Sequence, residues 1–287
     1  MKRIAILAVA LVLLLTMTPS IASAATSRVV PGPGTPIQDA INTASDGDVV
    51  FIGRGEYNEN VIVNKSISIK GAGAETTIVT GKNGNTAFTV KASNVSISGL
   101  TIKGADNVWQ SGILVSGADN VRIANNIIER NGYGIFLSRS NGTSIVNNVV
   151  RYNDAPRADY LPRIDNGSGI IAWDSGGGSY LNTKIKNNDI YYNYKFGIYV
   201  GGAAAMYADG TQINGNKLYR NGAYWNIGNG DRNWLGMGFE NAMGTISVHG
   251  NNIFPTASGL DYWVSNCPGL KLDGTPSYKG IPVPPAP

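Results

Sequence analysis

Charge is scarce in this 287-residue chain: only 15% of its residues are Asp, Glu, Lys or Arg, where a globular protein usually carries about 25%. That excludes a charge-driven disordered chain, a long coiled coil and a basic nucleic-acid-binding arm, all of which need more charge. Sulfur is scarcer. The one cysteine, Cys267, forbids an internal disulfide. The one histidine, His249, and five methionines leave little from which to build a multi-histidine zinc or copper site. Proline and glycine, 13 and 37 residues, are too few for a low-complexity chain. What is there, a composition rich in Gly, Asn and β-branched residues, reads as all-β.

The one sizeable apolar run lies at the N-terminus. Lys2 and Arg3 lead into Ile4 to Leu15, and Ala22, Ser23 and Ala24 supply a small-residue cleavage pattern. The run is shorter than the about 20 residues of a membrane span. A signal peptide is therefore expected over 1–24, with secretion and no membrane attachment after cleavage. Without Lys2 and Arg3, 21 basic residues face 19 acidic ones, a balance that points to no nucleic-acid partner.

Internal repetition is the strongest signal. Gly112 to Ser116, Gly134 to Ser138, Gly169 to Trp173, Gly197 to Gly201 and Gly238 to Ala242 align as one strand type. Each is followed by an aliphatic, two spacers, Asn, a spacer and another aliphatic: Ile123, Asn126, Ile128; Ile145, Asn148, Val150; Ile185, Asn188, Ile190; Ile213, Asn216, Leu218; Val248, Asn251, Ile253. Gly112 and Gly134 are 22 residues apart, as are Asn126 and Asn148. A unit this short cannot bury its own apolar face, but stacked coils can. The recurrent Asn fits a ladder of amides inside successive turns. Upstream, Thr35 and Pro36 open a capping box, and Ile37, Ala40, Ile41 and Ala44 recur at helical spacing. A short helix is expected to cap the first coil.

This pattern resembles the right-handed parallel β-helix proteins of the pectate-lyase-like and NosD-like superfamily. The resemblance implies a single-stranded right-handed parallel β-helix, a solenoid, with a short N-terminal capping helix. The expected boundaries are an N-terminal segment at 25–46, the β-helix at 47–254 and a C-terminal tail at 255–287. A monomer is expected.

In a solenoid, insertions gather on turns, often on the functional face. From ladder Asn to the next strand glycine the interval runs 8, 21, 9 and 22 residues. Two long connections, about 151–168 and 221–237, should therefore leave one corner on alternate coils, with the turn 191–196 as floor. Coils two apart are separated by about 9.6 Å, enough for an extended polymer. Tyr194, Lys195 and outward Tyr199 would line the floor. Arg157, Asp159, Arg163 and Asp165 would form one wall, and Trp225, Asp231, Arg232 and Trp234 the other. Trp173 and Glu240 would flank it. Leu114, Phe136, Ile171, Tyr199 and Glu240 form an outward column, in which Phe136 and Ile171 are expected to be covered and Trp173 and Tyr199 exposed to pack on sugar rings.

The resemblance also implies a polysaccharide partner and β-elimination on a uronate polymer, with Lys195 as the base, Arg163 or Arg232 neutralising the carboxylate and Tyr194 nearby. Calcium is a conceivable cofactor, through Asp154, Asp159, Asp165 or Asp174, although no fixed ligand spacing supports it. Hydrolysis would need a carboxylate pair such as Glu240 with Asp165, Asp174 or Asp231. The reading from another class is a non-catalytic glycan-binding or cell-surface β-helix.

Overall fold

The structure, a computed structural model, describes residues 26–30, 32–33, 36–107, 109–154, 167–222, 236–253 and 262–272. The expected signal peptide lies outside them. Inward aliphatics alternate with outward polar residues along strands of three to six residues, the pattern of a sheet with one face on a core. The strands fall into three parallel sheets of ten, eight and eight, visited in turn by each coil. The first sheet runs from Ser27–Val30 through Val49–Ile52, Ser68–Gly71 and so on to Leu270–Leu272; the second from Gly55–Asn58 to Asn252–Ile253; the third from Val61–Val63 to Tyr262–Ser265.

Every pairing is in parallel, so like positions stack on like. Ile97, Ile123, Ile145, Ile185 and Ile213 form one inward column of the first sheet, and all are fully buried. Each buried side chain contributes about 1.5–3 kcal/mol, and one core runs through the stack. Two features differ from the sequence expectation. The stacking starts earlier and ends later than the visible repeat: Ser27–Val30 pairs with Val49–Ile52, and Tyr262–Ser265 and Leu270–Leu272 add strands within the expected tail. The capping helix, Ile37–Thr43, does put Ile37 and Ile41 into the core, but Pro36 precedes it and no local side chain caps it. Instead the carboxylate of Glu59, one coil on, accepts from Ile37 N–H at 2.9 Å and Gln38 N–H at 3.2 Å. A cap supplied across coils leaves no local signature.

The asparagine ladder forms as expected. The side-chain oxygens of Asn148, Asn188, Asn216 and Asn251 each accept from the backbone and side-chain amides of the ladder Asn before them, at 2.9–3.2 Å. Each amide nitrogen from Asn126 to Asn251 also donates to an inward aliphatic's carbonyl. A second ladder of Asn131, Asn153, Asn193 and Asn221 repeats the scheme at the corner between the second and third sheets. It stands five residues after the first in these four coils. The recurrent strand glycine follows from it: a Cβ on Gly169 would lie 2.8 Å from both the Asn193 amide nitrogen and the Gly197 carbonyl.

Candidate functional site

The corner expected to carry the site is the one held by the second ladder. One long connection joins Val149–Arg151 to Ile170–Asp174, and the other joins Lys217–Tyr219 to Met237–Met243. Both pass from the second sheet to the third, on coils two apart, with the short turn after Asp189–Tyr191 between them. The wall residues Arg157, Asp159, Arg163 and Asp165, and Trp225, Asp231, Arg232 and Trp234, lie outside the described residues.

The floor is not open. Lys195 is 2% exposed, and its backbone N–H donates to the Gly167 carbonyl at 3.2 Å. Tyr194 is half-buried, its N–H donates to the Asn153 carbonyl at 3.0 Å, and burial raises its hydroxyl above the usual tyrosine range, with Asp154 adding to the effect. That makes its phenolate harder to form and weakens it as a base.

The outward column also needs correction. Tyr199 is 1% exposed rather than open to solvent, and its hydroxyl donates to Glu240 Oε2 at 2.5 Å. The cause is the register: Ile198 pairs with Met237, so Gly236 takes the place of the repeat glycine and Gly238 pairs with Tyr199. A Cβ at Gly238 would lie 2.5 Å from the Phe196 ring and 2.8 Å from the Tyr199 ring, so the glycine is the seat on which these rings fold down. Glu240 accordingly stands level with Gly201 and Trp173, one row over from Tyr199. Tyr133, Ile171, Phe196 and Tyr199 are buried in a cluster on the outer face of the third sheet, with Phe136 and Trp173 partly exposed at its margin. The coverage expected of Ile171 is seen, and that of Phe136 in part.

Asp174 is used in the fold. It pairs with Arg139 at 2.8 Å and accepts from Gly176 N–H at 2.6 Å. Among the described residues no group of three or more His, Cys, Asp or Glu could hold a metal ion. No helix among them is long and apolar enough to cross a membrane.

Sequence reasoning missed a tyrosine cluster at the same corner. Tyr191 stacks on Tyr219 with centroids 4.6 Å apart, and Tyr152 on Tyr192 at 5.2 Å. Arg151 joins Glu129 at 2.7 Å and donates to the Tyr191 hydroxyl at 2.9 Å, while Arg220 donates to the Tyr192 hydroxyl. Asp189 bonds Tyr219 within this group. Burial raises its carboxyl above the usual range, against the Tyr219 bond and the charges of Lys217 and Arg151. The signal was in the sequence: these side chains occupy the two positions before each second-ladder Asn.

The model of the right handed beta helix region matches residues 40–183. A cell surface glycoprotein of Methanothermus fervidus is 30% identical over 189 residues, which cover 58% of this chain and 26% of that protein. The chain thus spans about a quarter of that relative. Among solved structures, a pectate lyase superimposes with a TM-score of 0.58 at 12% identity, over 86% of this chain and 77% of that one. An alginate lyase from Paenibacillus sp. str. FPU-7 does so with a TM-score of 0.51 at 16% identity, over 84% and 99%. At these identities the likeness is one of fold.

Proposed function

The chain belongs to the right handed beta helix family, and from that premise we propose that it is an extracellular β-helix protein that binds a polysaccharide at the corner between its second and third sheets. The carrying observation is an aromatic cluster on an outward sheet face, where a solvated surface would be polar. Trp173, on the strand that the first long connection enters, and Phe136, on the strand before it, stand at its margin with ring surface left for the C–H faces of a sugar. The recurrence of the fold in a cell surface glycoprotein supports an extracellular role. Removal of the indole by Trp173→Ala is expected to weaken binding in a polysaccharide panel by about tenfold, the worth of one aromatic contact of about 1.4 kcal/mol. Unchanged affinity would refute the site.

A second reading, β-elimination of a uronate polymer, is favoured by the place of Lys195 four residues before Tyr199, whose hydroxyl meets Glu240. It requires Lys195 to be uncovered by the bound polymer, because a lysine 2% exposed cannot reach a substrate proton. Arg163 or Arg232 would neutralise the uronate carboxylate in this scheme. Incubation of uronate polymers with the protein should then give the ultraviolet absorbance of unsaturated products, and Lys195→Ala should abolish it. Binding without any such product would leave the non-catalytic reading standing.

A further inference from the structure

The three outward faces of the solenoid differ in charge. The third is largely apolar, with Glu240 as its carboxylate. The second is balanced, with Glu56, Glu129 and Asp189 against Lys103, Arg151 and Lys217. The first carries Lys70, Arg122, Lys184, Lys186 and Lys271, and its ten strands contain no Asp or Glu. Alternation with the buried Ile69, Ile123 and Ile185 turns all but the last of these cations outward, and Lys271 pairs with outward Ser247. All except the half-buried Lys186 are exposed.

These cations are not consumed by the fold. The three ion pairs among the described residues are Arg28–Asp48, Arg139–Asp174 and Arg151–Glu129, none of which involves them. Lys186 donates to Gln212 at 2.8 Å. Of the carboxylates in the adjoining turns, Asp46 accepts from the Ser66 N–H, Asp119 from Asn141 and Asp209 from the Thr245 N–H, and Glu75 is exposed in the turn after Lys70.

We infer that the outer face of the first sheet binds a linear, carboxylate-bearing polysaccharide lying along the solenoid axis. Lys70, Arg122 and the Lys184/Lys186 pair stand on every second strand, about 10 Å apart, and Lys271 extends the line to about 34 Å from Lys70. Such spacing meets a polymer charged at regular intervals. After Lys186 the chain passes to the second sheet through residues 187 and 188 alone, while nine residues, 175–183, lead into Lys184. From Lys70 onward the strands carry no Phe, Tyr or Trp. Single-stranded nucleic acid, which is held by base stacking, is therefore the poorer fit. The inference rests on the reading of an extracellular polysaccharide partner, and it places a second contact surface away from the third-sheet corner.

The test uses the full chain and polygalacturonate in solution, titrated at low and high salt. Wild type is expected to bind, and to lose affinity as salt rises. The combined variant Lys70→Gln, Arg122→Gln, Lys184→Gln, Lys186→Gln is expected to bind at least about tenfold more weakly at low salt, since four cations no longer displace counterions. The second-face control Lys103→Gln, Lys217→Gln should bind as wild type does, and circular dichroism should show all of them folded. Absence of wild-type binding, equal binding by the fourfold variant, equal binding of a fully methyl-esterified polymer, or a preference for single-stranded DNA would each overturn the inference. Trp173→Ala reports separately on the corner: if it alone leaves binding unchanged, the corner reading fails and this one stands.

Discussion

Replacing Asn193 by alanine cuts the second ladder at the coil between the two long connections. Asn193 is fully buried. Its side-chain oxygen accepts from the Asn153 backbone N–H at 3.2 Å and amide at 2.8 Å, and its amide nitrogen donates to the Val150 carbonyl at 3.1 Å and to Asn221 Oδ1 at 2.9 Å. Alanine removes all four bonds. Two of the former partners keep others: the Asn153 amide still reaches the Ile128 carbonyl, and Asn221 Oδ1 still accepts from the backbone N–H of residue 193. The Val150 carbonyl also keeps its place in the strand ladder with Asp189–Tyr191, and only the Asn153 N–H loses its partner. An unsatisfied buried group costs about 1–3 kcal/mol, and that is the expected loss. Asn187 supplies the comparison, being exposed and held at φ 56–55 like its stacked neighbours Asn125 and Asn147. Asn187→Ala should cost about 1 kcal/mol, the strain of a left-handed alanine. Urea unfolding followed by far-ultraviolet circular dichroism reads both as shifts in midpoint. If Asn193→Ala loses no more than Asn187→Ala, the amides are not what holds this corner. An altered slope would show that the coils on either side now unfold separately.

Further outcomes follow from single contacts. Gly238→Ala should lower stability by about 1–3 kcal/mol, because its methyl group meets the Phe196 and Tyr199 rings; an unchanged thermal midpoint would refute the ring seat. Glu59→Ala should cost about 1–2 kcal/mol by freeing the first N–H groups of the helix, with faster amide exchange at Ile37 and Gln38. Protection of those amides in the variant would show that the cap lies elsewhere. Because burial raises the Asp189 carboxyl in the folded state, the folded chain holds that proton to higher pH than the unfolded one. Its contribution is therefore full below the unfolded value, near 3.9, and is lost as pH rises through the folded value. Asp189→Asn should raise the urea midpoint at neutral pH and flatten that decline, and a lowered midpoint at neutral pH would contradict it.

Residue order alone determined whatever is local or periodic. The 22-residue spacing, the inward aliphatics and the first asparagine column dictate a stacked parallel solenoid, because a short unit with one apolar face is stable only against copies of itself. The lengths of the two connections and their common corner were equally legible as interruptions of a count. The second ladder and the tyrosine pairs were present at fixed offsets but went unread, since any one coil shows only an Asn and a bulky residue. Tertiary structure decided everything that depends on contact across coils. Glu59 caps a helix that begins 22 residues earlier. Pairing of Ile198 with Met237 put Gly238, not Glu240, beside Tyr199, and so drew the tyrosine down and covered it. Lys195 sits on the turn where the count placed it, yet buried, because alternation tells which way a strand residue points and says nothing of what packs over a turn. The uniform charge of the first face lay in the sequence too, as lysines and an arginine up to 85 residues from the next, from Lys186 to Lys271. Only parallel stacking, strand upon strand, brings them into one line.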